Sequence, residues 1–380
     1  MRRLHLVGLC AVLGIVMLFL QPFTKLQNTV SDLFFSSHSI QTPITIVAID
    51  EKSISTEGQL GRFKDWPRTY YAQAIRELNK FEPAVVGIDL DFRERSQGIS
   101  GQRLTQFADL KKSGRSDIDW NSIIALFTQN SGAVSQHPDD VELQKTLDTT
   151  KRVVLVEPLL ITDAGEVAEG SRGVLPLVNG SIPPIFSGSS IFSGFNTASF
   201  DSDGVVRRFL STLGAKKSFS YVLAQQYALS QGKTLSEGVF NEEGYNRIRF
   251  LGKPGQTFNT VSFLDLVNGK VDPSLIKNHI VIIGGTAGIL HDDALTLTGF
   301  EPMPGVEILA TETQQILDGF YMHESGLTWK IVGFVLLLLI TMLFFAALTQ
   351  VFCSPFYCVD FFIALSWIYV FSKRNCTRCC

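Results

Sequence analysis

Two long apolar stretches, one near each end of the chain, constrain this protein more than any other feature. Residues 4–20 read LHLVGLCAVLGIVMLFL, with His5 the one side chain able to gain charge near neutral pH, and Arg2 and Arg3 stand just before them. About 20 helical residues rise about 30 Å, the thickness of a bilayer's hydrocarbon core. A cleaved signal peptide needs small residues after the apolar core, and the following LQPFTKLQ supplies none. A retained signal anchor over residues 1–24 is therefore expected. Toward the other end, Trp329 to Val351 read WKIVGFVLLLLITMLFFAALTQV, a stronger candidate that opens on an interfacial Trp. A transmembrane helix is expected over residues 329–352. A further apolar stretch at residues 355–371, interrupted by Asp360, is a weaker third candidate, and residues 372–380 form a short basic tail with Cys376, Cys379 and Cys380.

Charge sets the orientation. Arg2 and Arg3 favour a cytoplasmic N-terminus, so the first helix would deliver residues 25–328 to the far side of the membrane. The expected place is the cell inner membrane, with the intervening region periplasmic or extracellular. If the third stretch also spanned, Lys373, Arg374 and Arg378 would lie outside, against the same preference. Over the whole chain, 33 Lys and Arg nearly balance 36 Asp and Glu, so no global field points to nucleic acid. The six cysteines all lie within or beyond the apolar ends. The region between must therefore fold on its hydrophobic core, without disulfides.

That region reads as one α/β domain with a largely parallel sheet. PITIVAID (Pro43 to Asp50) is a continuous β-branched run of the buried-strand type, and AVVGIDLDF (Ala84 to Phe92) is another. Between them, Pro67 suits a first helical turn, and Tyr71, Ala74, Ile75 and Leu78 follow at helical spacing. Strand, helix and strand in about fifty residues make a βαβ unit with parallel strands. Residues 93–150 are polar, with helices expected at 119–128 and 139–147. RVVLVEP (Arg152 to Pro158) is a further buried strand, and residues 162–184 read as surface loops. SGFNTAS and VVRRFLSTL flank the turn-forming FDSDG as a hairpin. A helix in SFSYVLAQQYALSQG, a short strand in RIRFLG, a helix at 262–267, the strand HIVIIGG and a helix at 304–317 complete the order.

Candidate binding residues follow from that arrangement. Asp50, Asp89 and Asp91 fall at or near the carboxyl ends of the two parallel strands, the edge where open α/β sheets bind ligands. They could converge on a cation or polar ligand, or simply cap turns. Trp66 and Arg68 bracket Pro67 at a helix start, where Arg68 could meet an anion or pair with Asp50 or Asp89. Asp203 and Arg207 sit in FDSDGVVRRF. DSDG lacks the distal acid of a calcium loop and is better explained as an Asx-stabilised turn. Arg207 and Arg208 should point to opposite faces of one strand. Backbone amides of GGTAG (Gly284 to Gly288) offer a weak anion cradle, and His291, Asp292 and Asp293 a weak metal cluster. No nucleophile elbow, zinc-protease helix or domain cysteine is present. Neither an enzyme nor a bound metal or cofactor is expected.

The succession IVAIDEKSI, WPRTYYAQAIREL, AVVGIDLDF, FDSDGVVRRF, HIVIIGGTA and MPGVEILATETQQILDG resembles the CHASE domain of the second type, from about Ile44 to Gly319. The name stands for cyclase- and histidine-kinase-associated sensory extracellular domain. The resemblance implies an extracytoplasmic sensory input domain of bacterial signalling proteins, usually followed by membrane helices and a cytoplasmic kinase or cyclase. No such output is read before Cys380, so either a truncated sequence or a separate partner is expected to account for it. The expected function is a membrane-anchored sensor, with the bilayer, a small-molecule or ion ligand, a homodimer and a separate cytoplasmic signalling protein as candidate partners. The alternatives are a membrane-tethered interaction domain and, less favoured, an exported metal-assisted hydrolase.

Overall fold

A computed structural model describes residues 41–55, 60–96, 137–161, 178–196, 199–201, 203–235, 245–299 and 301–321, with Asp32, Phe35 and six positions between 332 and 343. The chain divides into two compact units, one spanning Lys25–His323 and one made of the two ends.

The larger unit is α/β. Its strands are β1 (Ile44–Ile49), β2 (Val85–Ile88), β3 (Val153–Ile161), β4 (Val178–Ser181), β5 (Ile191–Asn196), β6 (Ser199–Phe200), β7 (Val205–Leu210), β8 (Thr212–Leu213), β9 (Lys216–Lys217), β10 (Tyr245–Arg247), β11 (Asn259–Ser262), β12 (Ile280–Gly285), β13 (Asp293–Thr296) and β14 (Met303–Pro304). Its α-helices are α1 (Glu51–Ile54), α2 (Arg68–Asn79), α3 (Pro138–Thr149), α4 (Phe219–Ser230), α5 (Phe263–Val267) and α6 (Gly305–Leu317).

The main sheet runs β11-β1-β12-β2-β3, with β5 also paired to β3. All of these pairs are parallel; only β4 joins antiparallel, against the end of β3. Alternation along the strands explains why their sequences are apolar throughout. Val47, Ile49, Val86, Ile88, Val281 and Ile283 face a core shared with α2, α3 and α5. Their neighbours Ile44, Ile46, Val85, Ile280 and Ile282 face a second core built on Phe219 and Leu223 of α4 and Val306 and Leu309 of α6. A sheet covered on both faces needs apolar side chains at both parities. Each fully buried aliphatic or aromatic side chain contributes about 1.5–3 kcal/mol.

A smaller sheet, β10-β7-β13-β14 with β6 on β7, packs around Val206, Phe209, Ile248, Met303 and Ile308. Here the expected hairpin is revised. Residues 193–196 belong to β5 in the main sheet, and only Ser199–Phe200 pairs with β7. Gly194 is the reason: a Cβ there would stand 2.7 Å from the backbone N and Cα of Phe219. The strand is held against the start of α4, a contact no other residue permits. Two further differences concern strands. β4 lies inside the stretch read as loop, and the strand expected at RIRFLG instead ends at Arg247.

The helix expected at 119–128 lies outside the described residues. So do almost all positions of the three apolar stretches, and among the described residues no helix is long and apolar enough to cross a membrane.

Candidate functional site

Because six main-sheet strands are parallel, their carboxyl ends share one edge, and the expected site residues distribute along it in three separate environments. Asp50 follows β1 and caps α1. Its carboxylate accepts from the Ser53 amide at 2.9 Å, the Ser53 hydroxyl at 2.6 Å and the Ser262 hydroxyl at 3.0 Å. This is a capping role with cross-links to β11.

Asp89 follows β2 and turns toward α6. It accepts from Asn196 Nδ2 at 3.2 Å, at the end of β5. Burial, and then the Asp292 carboxylate, push Asp89 up to about 7, against the opposing pull of the Asn196 bond. Glu312 of α6, 4% exposed, accepts from Ser220 Oγ of α4 at 2.7 Å. Burial drives it up to about 8, opposed by the Ser220 bond and reinforced by Asp89. Asp292 is raised by burial of its carboxyl group and by Asp293. The residue is exposed, but its carboxyl packs on Gly305, where a Cβ would come within 2.7 Å of Oδ1. Asp89 and Glu312 thus hold their protons toward neutrality, and no cation contributes to any of the three shifts.

Asp91, Trp66 and Arg68 meet around a cleft of about 740 Å³ between the start of α2 and the segment leaving β2. The cleft is built on aromatic packing. Trp66 stacks on Phe263 at 5.2 Å and donates its indole N–H to the Gly61 carbonyl at 3.0 Å. Tyr71, one turn along α2, meets Phe92 edge-on at 5.9 Å, and Phe92 meets Phe186 at 5.4 Å. The Arg68 guanidinium lies over both Phe92 and Phe186, at 5.2 and 5.3 Å. It pairs with Asp140 of α3 at 2.7 Å and donates to the Glu94 carbonyl. The expected pairing of Arg68 with Asp50 or Asp89 is therefore replaced by one with Asp140. The first turn of α2 points the guanidinium toward α3, whose acidic start supplies Asp139 and Asp140. Asp91 is held by Arg93 through its amide at 3.0 Å and its Nε at 2.6 Å.

Asp203 and Arg207 lie together, away from this cleft. Arg207, 3% exposed, donates to Asp32 at 2.7 Å, Asp201 at 2.9 Å and Asp203 at 2.9 Å. Burial alone would lower the guanidinium; its bonds to Asp32, Asp203 and Asp201 outweigh that and raise it. Asp203 Oδ1 accepts from the Val205 amide at 3.2 Å, and Gly204 takes a φ of +79°, as an Asx-stabilised turn requires. Although Arg207 and Arg208 are expected on opposite faces of one strand, both guanidiniums reach Asp201. Their length overcomes the alternation of the strand.

The weaker motifs are accounted for internally. The amides of Thr286 and Ala287 donate to the Ile49 carbonyl, and that of Gly288 to Glu51 at 2.9 Å, so GGTAG is no open anion cradle. Among the described residues no three His, Cys, Asp or Glu side chains are placed to hold a metal ion. Sequence reasoning missed Lys64, Tyr71, Phe92, Asp140 and Glu312. Tyr71 was legible only as one apolar position of a helix, and the polar run ETQQ gave no sign of the burial of Glu312.

Comparison with known families matches residues 9–349 to the CHASE2 domain. The match covers most of the chain, which therefore belongs to the CHASE2 family, as the succession of landmarks implied. CHASE2 is a family of sensory extracellular domains, sensory rather than catalytic. No curated protein and no solved structure matches.

Proposed function

We propose that this CHASE2 chain is a membrane-anchored receptor whose exported domain takes a small-molecule cue in the cleft at Trp66, Arg68 and Asp91 and passes the change across the bilayer. The observation that carries this reading is the convergence of those three residues on one cleft at the carboxyl edge of a parallel sheet. Ligands of open α/β sheets bind at that edge. The bilayer anchor draws support from the helical positions Val332, Val335, Leu336, Leu339, Ile340 and Leu343. All six are exposed and helical, within the stretch 329–351 that is apolar almost throughout. An apolar stretch of that length suits a bilayer core.

The cleft is also placed for coupling. It touches α2 and the chain leaving β2, both anchored in the core that contains α3 and α5. A ligand shifts such a domain only through different affinities for its two states. A homodimer, and a separate cytoplasmic protein that reads it, complete the proposed assembly. The metal-assisted hydrolase reading loses its support, because Asp50, Asp89 and Asp91 do not share one site.

The test is a chimera in which a nucleotide cyclase is fused after Ser354. Substitutions in the cleft, such as Trp66→Phe and Asp91→Asn, should change cyclase output at equal membrane abundance. Identical output from every cleft variant would defeat the receptor reading.

A further inference from the structure

Most charged groups of the cleft, including His137 and Asp139, already have partners, and those left open among the described residues, the Ser96 hydroxyl included, can all donate. Arg68 is neutralised by Asp140, Asp91 by Arg93, and Asp65 by Arg62 at 3.4 Å. What remains begins with the start of α2, a 12-residue helix whose Pro67 cap makes no side-chain bond and whose first turn carries no acid. The amides of Arg68 and Thr69 donate to nothing among the described residues. Lys64 has no ion pair there either. The independent mark of a ligand is Tyr71. It is 7% exposed, lines the cleft, and its hydroxyl makes no hydrogen bond among the described residues. That oxygen is not one of the sealed, orphaned polar atoms of the domain, which are Asn246 Oδ1 and Gln314 Oε1, so its opening is the cleft. Burial raises its pKa, keeping it a donor.

We infer that the cleft binds a small monocarboxylate with an apolar body, its charge at the α2 N-terminus, Tyr71 and Lys64 and its body against Phe63 and Leu90. Helix N-termini favour anions through unpaired amides and the dipole. Among the residues lining the cleft, one uncompensated lysine and no free guanidinium fork suit one negative charge better than a phosphate dianion. A cationic ligand would need an open aromatic face. Trp66 is buried and stacked on Phe263, Phe92 already carries Arg68, and Phe63 stands next to Lys64, whose charge repels a cation. This inference rests on the receptor reading and gives its ligand a chemistry.

The test is calorimetric titration of the purified full chain with benzoate, phenylacetate and hexanoate, against phenethylamine and inorganic phosphate. At least one carboxylate should bind, the amine should not, and phosphate should bind more weakly. Tyr71→Phe keeps the ring packing and should weaken the carboxylate about tenfold, as expected for one lost hydrogen bond to a charged group. Lys64→Gln, at an exposed position, should weaken it severalfold and remove part of its salt dependence. Circular dichroism confirms that each variant is folded. Failure of all three carboxylates to bind, tighter binding of the amine or phosphate, or a Tyr71→Phe variant with unchanged affinity overturns the inference. The cyclase chimera judges the receptor reading separately, because its response to cleft substitutions does not depend on which ligand class is right.

Discussion

Asp89 and Glu312 give the domain a pH dependence that runs opposite to ordinary acid denaturation. Burial, assisted by Asp292 for the first and by Asp89 for the second, lifts them from 3.8 to about 7 and from 4.5 to about 8. Between pH 4 and 8 the folded chain therefore holds protons that the unfolded chain has released. Stability rises with pH only where the unfolded state binds more protons. Here it binds fewer, so this contribution is fully present at low pH and is lost as pH climbs through 7 and 8. At 1.36 kcal/mol per pH unit, the ionised form of Asp89 costs about 4 kcal/mol and that of Glu312 about 5 kcal/mol. The Asp89 carboxylate raises Glu312, so a protonated Asp89 relieves Glu312 and the pair yields less than the sum. A net loss of about 4 kcal/mol between pH 5 and 8.5 is expected, or about 8 °C in Tm for a domain of this size. Thermal unfolding of the full chain followed at 222 nm measures it. Asp89→Asn with Glu312→Gln keeps shape and donors to neighbours while removing the titration, and should flatten the difference from the parent chain. A parent whose Tm is level or rises over that interval, or a double variant that keeps the parent's slope, would refute the reasoning.

Three more outcomes are expected. Arg207→Ala strands three carboxylates around a buried site and should cost about 3–5 kcal/mol in urea unfolding, with Arg207→Lys recovering only part because it cannot fork between Asp32 and Asp203. Gly194→Ala drives a Cβ into the Phe219 backbone and should lower the urea midpoint well beyond Gly214→Ala, where φ is +58° in open space and the cost is about 1 kcal/mol. Asp50→Ala removes the cap of α1 and should cost about 1–2 kcal/mol in the same assay, while chimera output stays at the parent level.

Much of the framework was legible because it is local or periodic. The runs ITIVAI, VVGI and IVIIGG announce strands buried on both faces, and α2, α4 and α6 follow from helical spacing within a few residues. Pairings across long separations were not legible. Arg68 reaches Asp140 and Arg207 reaches Asp32 at separations of 72 and 175 residues, and nothing in either neighbourhood names the partner. The acids at the strand ends were rightly placed on one edge, but the edge is wide. Local serines claim Asp50, Asn196 at the end of β5 claims Asp89, and Arg93 claims Asp91. Glu312 escaped notice because a polar residue in α6 reads as solvent-facing, whereas the helix is covered by both sheets' cores.

The side of the membrane on which the α/β domain stands decides the receptor account most directly. The domain contains no cysteine, so a single Lys233→Cys substitution at an exposed position, in a chain with its six native cysteines replaced, reports on it alone. Labelling of intact cells with a membrane-impermeant maleimide should modify that cysteine at the rate seen after lysis. Modification only after lysis would place the domain in the cytosol and contradict the account.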